Sequence, residues 1–161
     1  MKVFIAGSRS IKQLNEQVIS KLSDICDKNH HILIGDCHGV DSLVQQFLKS
    51  RGYNNVSVYI ANNKARNNIG QWPTHSVYTP LYLKGSNYYK QKDIVMARDA
   101  DTGFMIWDGV SCGTMNNITE LVSKNKPVLL YDNSSKTMRR IGDFNDNGQE
   151  VPHFRLSQVA G

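Results

Sequence analysis

Two periodicities alternate along the 161 residues. Nearly all-apolar runs at residues 2–6 (KVFIA), 31–34 (HILI), 56–60 (VSVYI), 103–107 (GFMIW) and 127–131 (PVLLY) read as buried strands. Between them, apolar residues recur at steps of three and four. Leu14, Val18, Leu22 and Ile25 form one such set, Val40, Leu43, Val44, Phe47 and Leu48 a second, and Ile118, Leu121 and Val122 a third. That spacing places each set on one face of a helix. Gly52 ends the second helix. A further helix is predicted over 88–98, with Ile94 and Val95 inward and Tyr88, Lys92 and Asp93 on its other faces.

Strands alternating with helices predict β-α-β units with right-handed crossovers. Strands that lack polar alternation predict a sheet covered on both faces. The expected fold is therefore α/β, a three-layer sandwich around a mostly parallel sheet of five or six strands. Residues 61–86 break the rhythm: they are rich in Asn, Gly and aromatics and hold Trp72, Pro73, Tyr78, Pro80 and Tyr82. A loop of this length in a compact domain is functional or mobile, and a short extra strand is expected within 76–83. One domain is expected over 1–161, with 132–161 a less regular extension. That extension holds Arg139 and Arg140, and an apolar segment at 151–156 that reads as an edge element or a hairpin.

Composition narrows the function. Hydrophobic residues make up 40% and charged residues 20% of the chain, as in soluble globular proteins. A net charge of +5 suits an anionic partner. The 19 Lys and Arg are scattered along the chain, which favours a small nucleotide over a nucleic-acid groove. Cys26, Cys37 and Cys112 are odd in number and form no CxxC pair, which fits a reducing cytoplasm. With no secretory h-region and no apolar run of about 18 residues, neither secretion nor membrane insertion is expected.

In parallel α/β sheets, ligands lie at the C-terminal ends of the strands, and three strands here run into glycine-bearing polar turns. Gly7-Ser8-Arg9 offers backbone amides, a hydroxyl and a guanidinium suited to a phosphate or carboxylate. The second turn, 35–41 (GDCHGVD), contains Gly35, Asp36, Gly39 and Asp41. Asp41 near a helix start reads either as a cap or as a carboxylate for a ribose. Cys37 and His38 lack a second ligand pair at useful spacing, so no metal is expected. The third turn, with Asp108, Gly109, Ser111, Gly113 and Thr114, joins a strand to a helix and is suited to cradling a phosphate. Asp108 is expected at the strand end facing the ligand. Cys112 reads as a reactive thiol or a small filler, and Trp107 as core or as a stacking group beside a nucleotide. Residues 143–148 match the first half of a calcium loop, but the twelfth position is Phe154, so they read as a polar turn.

Together, the GSR after the first strand, GDCHGVD and WDGVSCGTMNNI resemble the SLOG superfamily. That group includes the "lonely guy" phosphoribohydrolases and the Rossmann-like domain of DNA-processing protein A. The closest look is to compact GSR-type members, over about residues 1–132. The resemblance implies a Rossmann-like sheet binding a nucleotide or nucleotide-derived ligand, its phosphate on the 111–114 turn, in a homodimer or higher homo-oligomer. In the phosphoribohydrolases a GT-x-x-E pattern supplies a catalytic glutamate. Here the glutamate's place is taken by Asn117, and the family's Arg four residues before a Met is Lys92 before Met96. Asn cannot serve as a carboxylate base, and Lys keeps the charge without the planar fork.

Three functions follow. The preferred one is a sensor, carrier or sequestering protein for a nucleotide, because the phosphate turns are intact and the acid is missing. The alternative is an N-glycosidic nucleotide hydrolase or transferase using another acid, with Asp41 and Asp108 the catalytic candidates and Asp36 a third. The last is a single-stranded nucleic-acid binder stacking bases on Trp72, Tyr78 or Tyr82. No cofactor is expected in any of them.

Overall fold

The computed structural model describes residues 1–142. The 143–148 motif and the 151–156 segment lie outside the described residues. Within them, β1 (Lys2–Gly7), α1 (Glu16–Asp27), β2 (His31–Ile34), α2 (Val40–Ser50) and β3 (Val56–Ala61) form the first half. Then come β4 (Thr74–Val77), α3 (Ser86–Asp99), β5 (Thr102–Trp107), α4 (Cys112–Ser123), β6 (Val128–Asp132) and β7 (Thr137–Ile141). The strands make one sheet in the order β4-β3-β2-β1-β5-β6-β7. All neighbours are parallel except β6 and β7, which pair antiparallel.

The period-two geometry of the strands splits the core into two layers. Val3 and Ile5 of β1 join Ile32, Ile34, Val58 and Phe104 beneath α1 and α2, which contribute Val18, Leu22, Val44 and Leu48. Phe4 and Ala6 face the other way with Leu33, Tyr59 and Met105, beneath Met96, Ala97, Ile118 and Leu121 of α3 and α4. Each of β1, β2, β3, β5 and β6 is thus apolar on both faces, as its apolar run requires.

Seven strands stand where five or six were expected, and both additions are edges. THSV is exposed except at Val77 and TMRRI is half-buried or exposed except at Ile141, so neither shows the apolar run that marks a central strand. β4 begins before the expected 76–83 segment, at Thr74, and overlaps it only at Ser76 and Val77. β7 occupies part of the stretch read as a fading tail. Helix α3 also differs from expectation. Its buried residues are Lys92, Met96 and Ala97, while Ile94 and Val95 are only half-buried. Its inward stripe is polar near the start because that part of the helix covers a cleft.

The segment between β3 and β4 has no regular structure but is held at many points. Gln45 of α2, fully buried, donates to the Asn67 carbonyl at 3.2 Å and accepts from the Ile69 amide at 2.9 Å. Asn68 brackets Trp72 with two hydrogen bonds. The Trp72 indole sits in the core at 6% exposure and donates to the Tyr53 carbonyl at 2.8 Å. Trp72 is therefore a packing residue and takes no part in base stacking. Trp72→Ala is expected to cost about 3–5 kcal/mol, the usual range for emptying a buried aromatic site. A urea titration reads this as a lower midpoint at unchanged slope; a loss under about 1 kcal/mol would show that the indole is not an anchor.

Candidate functional site

From β1 the chain winds outward in one direction through β2 and β3, and in the other through β5 and β6. The strand order therefore reverses at β1, and crevices form at such switch points. Here the crevice is a cleft of about 550 Å³, a size typical of small-molecule sites. Its walls are the turns after β1 and β2, the first turns of α3 and α4, and Arg66 from the segment between β3 and β4.

One wall is the start of α4. No side chain caps this helix: the N-cap residue Ser111 turns its hydroxyl to Asp108 Oδ2 instead. The first amides of a helix have no intrahelical acceptor and carry the positive end of its dipole. A Cβ built on Gly113 would meet nothing within 4 Å, so open space reaches the helix backbone there. Beside it, the buried Thr114 hydroxyl lies 3.3 Å from the Ser8 hydroxyl. Ser8 Oγ also accepts the Asp108 amide at 3.0 Å and so ties the ends of β1 and β5 together. One helical turn further in, Asn117 lines the cleft at 8% exposure and hydrogen-bonds to no described residue. Arg9 and Lys90 stand exposed at the rim and form no ion pair with a described residue.

The floor is a buried charge cluster. Gly35 has no side chain, and the space a Cβ would take is filled by Asp41 Oδ2 and Lys92 Nζ, 2.7 and 2.8 Å from that position. Lys92 is 3% exposed and bonds Asp93 Oδ1 at 2.7 Å. Burial opposes its charge, but the carboxylates of Asp93 and Asp41 outweigh burial and hold the ammonium above the usual lysine range. Asp41 accepts the Cys37 amide at 3.1 Å. Burial pushes its carboxyl up to about 6, against the opposing pull of Lys92.

The cleft thus collects Gly7, Ser8 and Arg9 from the first turn, Gly35 and Asp41 from the second, and Ser111, Gly113 and Thr114 from the third. Lys92 and Asn117 join them. Four expected residues do not line it. Asp36, 1% exposed, is turned away and consumed by Arg66, which reaches it through its backbone amide at 2.8 Å, Nε at 3.2 Å and Nη2 at 2.8 Å. Asp108 folds back onto its own turn, where the Ser10 and Ser111 hydroxyls and the amides of Val110 and Ser111 all donate to it. Partial burial opposes its charge, yet those four donors hold the carboxyl well below the usual range. A carboxylate so satisfied is a turn brace and a poor proton donor or base. Gly39 and Gly109 serve backbone shape, with φ of 78° and 90°.

Trp107 is core, its indole donating to the Ser111 carbonyl at 3.0 Å. Cys112 opens α4, exposed at the cleft edge. Arg66, Tyr89 and Asp93 also line the cleft without having been singled out beforehand. Tyr89 and Asp93 flank Lys92 on a helix whose polar inner face mimics a solvent face. Arg66 lies in a stretch with no period, where no pattern marks one arginine above another. No group of three or more metal-ligating side chains converges among the described residues, and no helix there is long and apolar enough to cross a membrane.

The Asp41 environment sets a pH dependence. Between the unfolded value of 3.8 and about 6, the native state holds a proton that the unfolded chain has released. The contribution of Asp41 to stability therefore falls as pH rises from about 4 to about 6. The urea midpoint of the wild type is expected to fall relative to that of Asp41→Asn across that window; parallel curves for the two proteins would refute the assignment.

No protein-family model matches the chain, and no curated protein matches it by sequence. Two solved structures are similar. DNA processing protein A from Helicobacter pylori, which binds single-stranded DNA, superposes with a TM-score of 0.62 at 15% identity, over 81% of this chain and 64% of that one. This chain therefore spans less than two thirds of that protein. TM1055, a structural-genomics target, superposes with a TM-score of 0.56 at 21% identity, over 98% of this chain and 88% of that one. With these neighbours and its strand order, the chain has a Rossmann-like α/β fold.

Proposed function

We propose that the cleft binds a nucleotide or nucleotide-derived ligand, and that the protein acts as its sensor, carrier or sequestering partner. The phosphate sits on the first turn of α4, among Arg9, Gly113 and Thr114, with the sugar toward Asp41, Lys92 and Asn117. One observation carries this reading. The uncapped start of α4 opens into the cleft at Gly113, and one turn deeper stands Asn117, 8% exposed and with no side-chain hydrogen bond to a described residue. Free amides, a helix dipole and unpaired cations together favour an anion with several acceptor oxygens. Asn117 offers both a donor and an acceptor to a sugar hydroxyl, in the position where the phosphoribohydrolase pattern has glutamate.

A second reading is favoured by Asp41 alone: N-glycosidic hydrolysis or transfer. A carboxyl held near 6 at the cleft floor can protonate a departing base while water or another acceptor takes the anomeric carbon. Asp41 is the one surviving acid of the original three, since Asp36 and Asp108 are occupied elsewhere.

Incubation with a panel of nucleotides, cyclic nucleotides and ADP-ribosyl compounds, followed by denaturation and mass spectrometry, separates the two. Recovery of one unaltered compound near one per chain supports binding. A free base beside a sugar phosphate supports the enzyme, and binding of nothing in the panel refutes both. Gly113→Ala is expected to leave the fold intact or stabilise it by about 0.5–1 kcal/mol, the helix preference of Ala over Gly. The same change should weaken the recovered nucleotide roughly tenfold, about the loss of one charge-assisted hydrogen bond. Undiminished affinity in that variant would remove the phosphate from α4.

A further inference from the structure

The phosphate reading says nothing about what meets the other end of a nucleotide. Tyr89 is the only aromatic side chain lining the cleft among the described residues. Trp72 and Trp107 are in the core, and Tyr78 and Tyr82 are exposed outside the cleft lining. The Arg66 guanidinium lies over the Tyr89 ring, 3.6 Å from its centroid. Its charge is already answered by the buried Asp36, which takes both Nε and Nη2. In contrast to Arg9 and Lys90, it is therefore not a free anion receptor. What remains is a flat, weakly hydrated surface suited to stacking.

The pair is also held rigidly. Tyr88 packs edge-on against Tyr89, with centroids 5.0 Å apart and planes at 88°. The Tyr88 hydroxyl accepts from Asn62 Nδ2 at 2.7 Å, and Asn62 in turn binds the Thr79 backbone through both its amide atoms. The end of β2, the segment after β3, the segment after β4 and the first turns of α3 thus converge on one stacked pair. Surfaces fixed in advance lose little entropy when a ligand arrives.

We infer that Arg66 and Tyr89 form the nucleobase platform of the cleft, a stacking subsite for the aromatic base of the ligand. This rests on the reading of the cleft as a nucleotide site. It also assigns a purpose to residues 62–85: they build and brace the platform. Stacking is tolerant of base identity because every base has a π face, so the platform supplies affinity for nucleotides over sugar phosphates.

Calorimetric titrations with AMP and with ribose 5-phosphate test this in the wild type, Tyr89→Leu and Tyr89→Phe. The wild type is expected to bind AMP roughly tenfold more tightly than ribose 5-phosphate, within the range of one base–aromatic stack. Tyr89→Leu should lose most of that margin by weakening AMP alone, and Tyr89→Phe should keep it. A preserved margin in Tyr89→Leu, or equal weakening of both probes, overturns the platform. Equal affinity of the wild type for both probes also overturns it while sparing the phosphate reading, whereas binding of neither overturns both.

Discussion

Opposite winding on the two sides of β1 is the constraint from which the rest of the site follows. Because β2 and β5 both flank β1, the helices that leave β1 and β5 lie on opposite faces of the sheet. No connection crosses over the space between their C-terminal ends, and the cleft opens there. Ser8 closes the seam beneath it by accepting the Asp108 amide and meeting the Thr114 hydroxyl. The turns read from the sequence become one site because the topology sets their strand ends side by side.

The two sides of the cleft handle charge in different ways. On the α4 side, Arg9 forms no ion pair with a described residue and no side chain caps the first amides of the helix. On the opposite side, Asp36 and Arg66 neutralise one another out of water. A buried ion pair repays its desolvation only when its remaining donors and acceptors are satisfied. Here Asp36 takes three hydrogen bonds from one residue, backbone included. That geometry fixes the course of the segment after β3 and delivers a guanidinium face to Tyr89. One side of the cleft is thus electrostatic and the other flat and neutralised.

Between them, the floor is built by Lys92, Asn117 and Asp41. Burial raises the Asp41 carboxyl there. Its proximity to Lys92 over Gly35 makes the floor a coupled unit, so changing either partner changes the protonation of both.

The core strands, the first, second and fourth helices and the three glycine turns were legible from the chain alone, because burial on both faces demands long apolar runs and one-sided helices demand a 3.6-residue period. The edge strands were not, since β4 and β7 are half-solvated and carry no such signature. The same limit hid the inner face of α3: Lys92 and Asp93 look like a solvent face until the cleft beneath them is seen. Asp36, Asp41 and Asp108 were equivalent as candidates in the sequence, each an acid beside a strand end. Only tertiary structure distinguished them, by giving Asp36 a guanidinium, Asp108 four donors from its own and the neighbouring turn, and Asp41 a buried place above Gly35. Sequence determines which groups are available near the strand ends. Their partners come from distant segments such as the one carrying Arg66, and it is those partners that decide which groups remain free to meet a ligand.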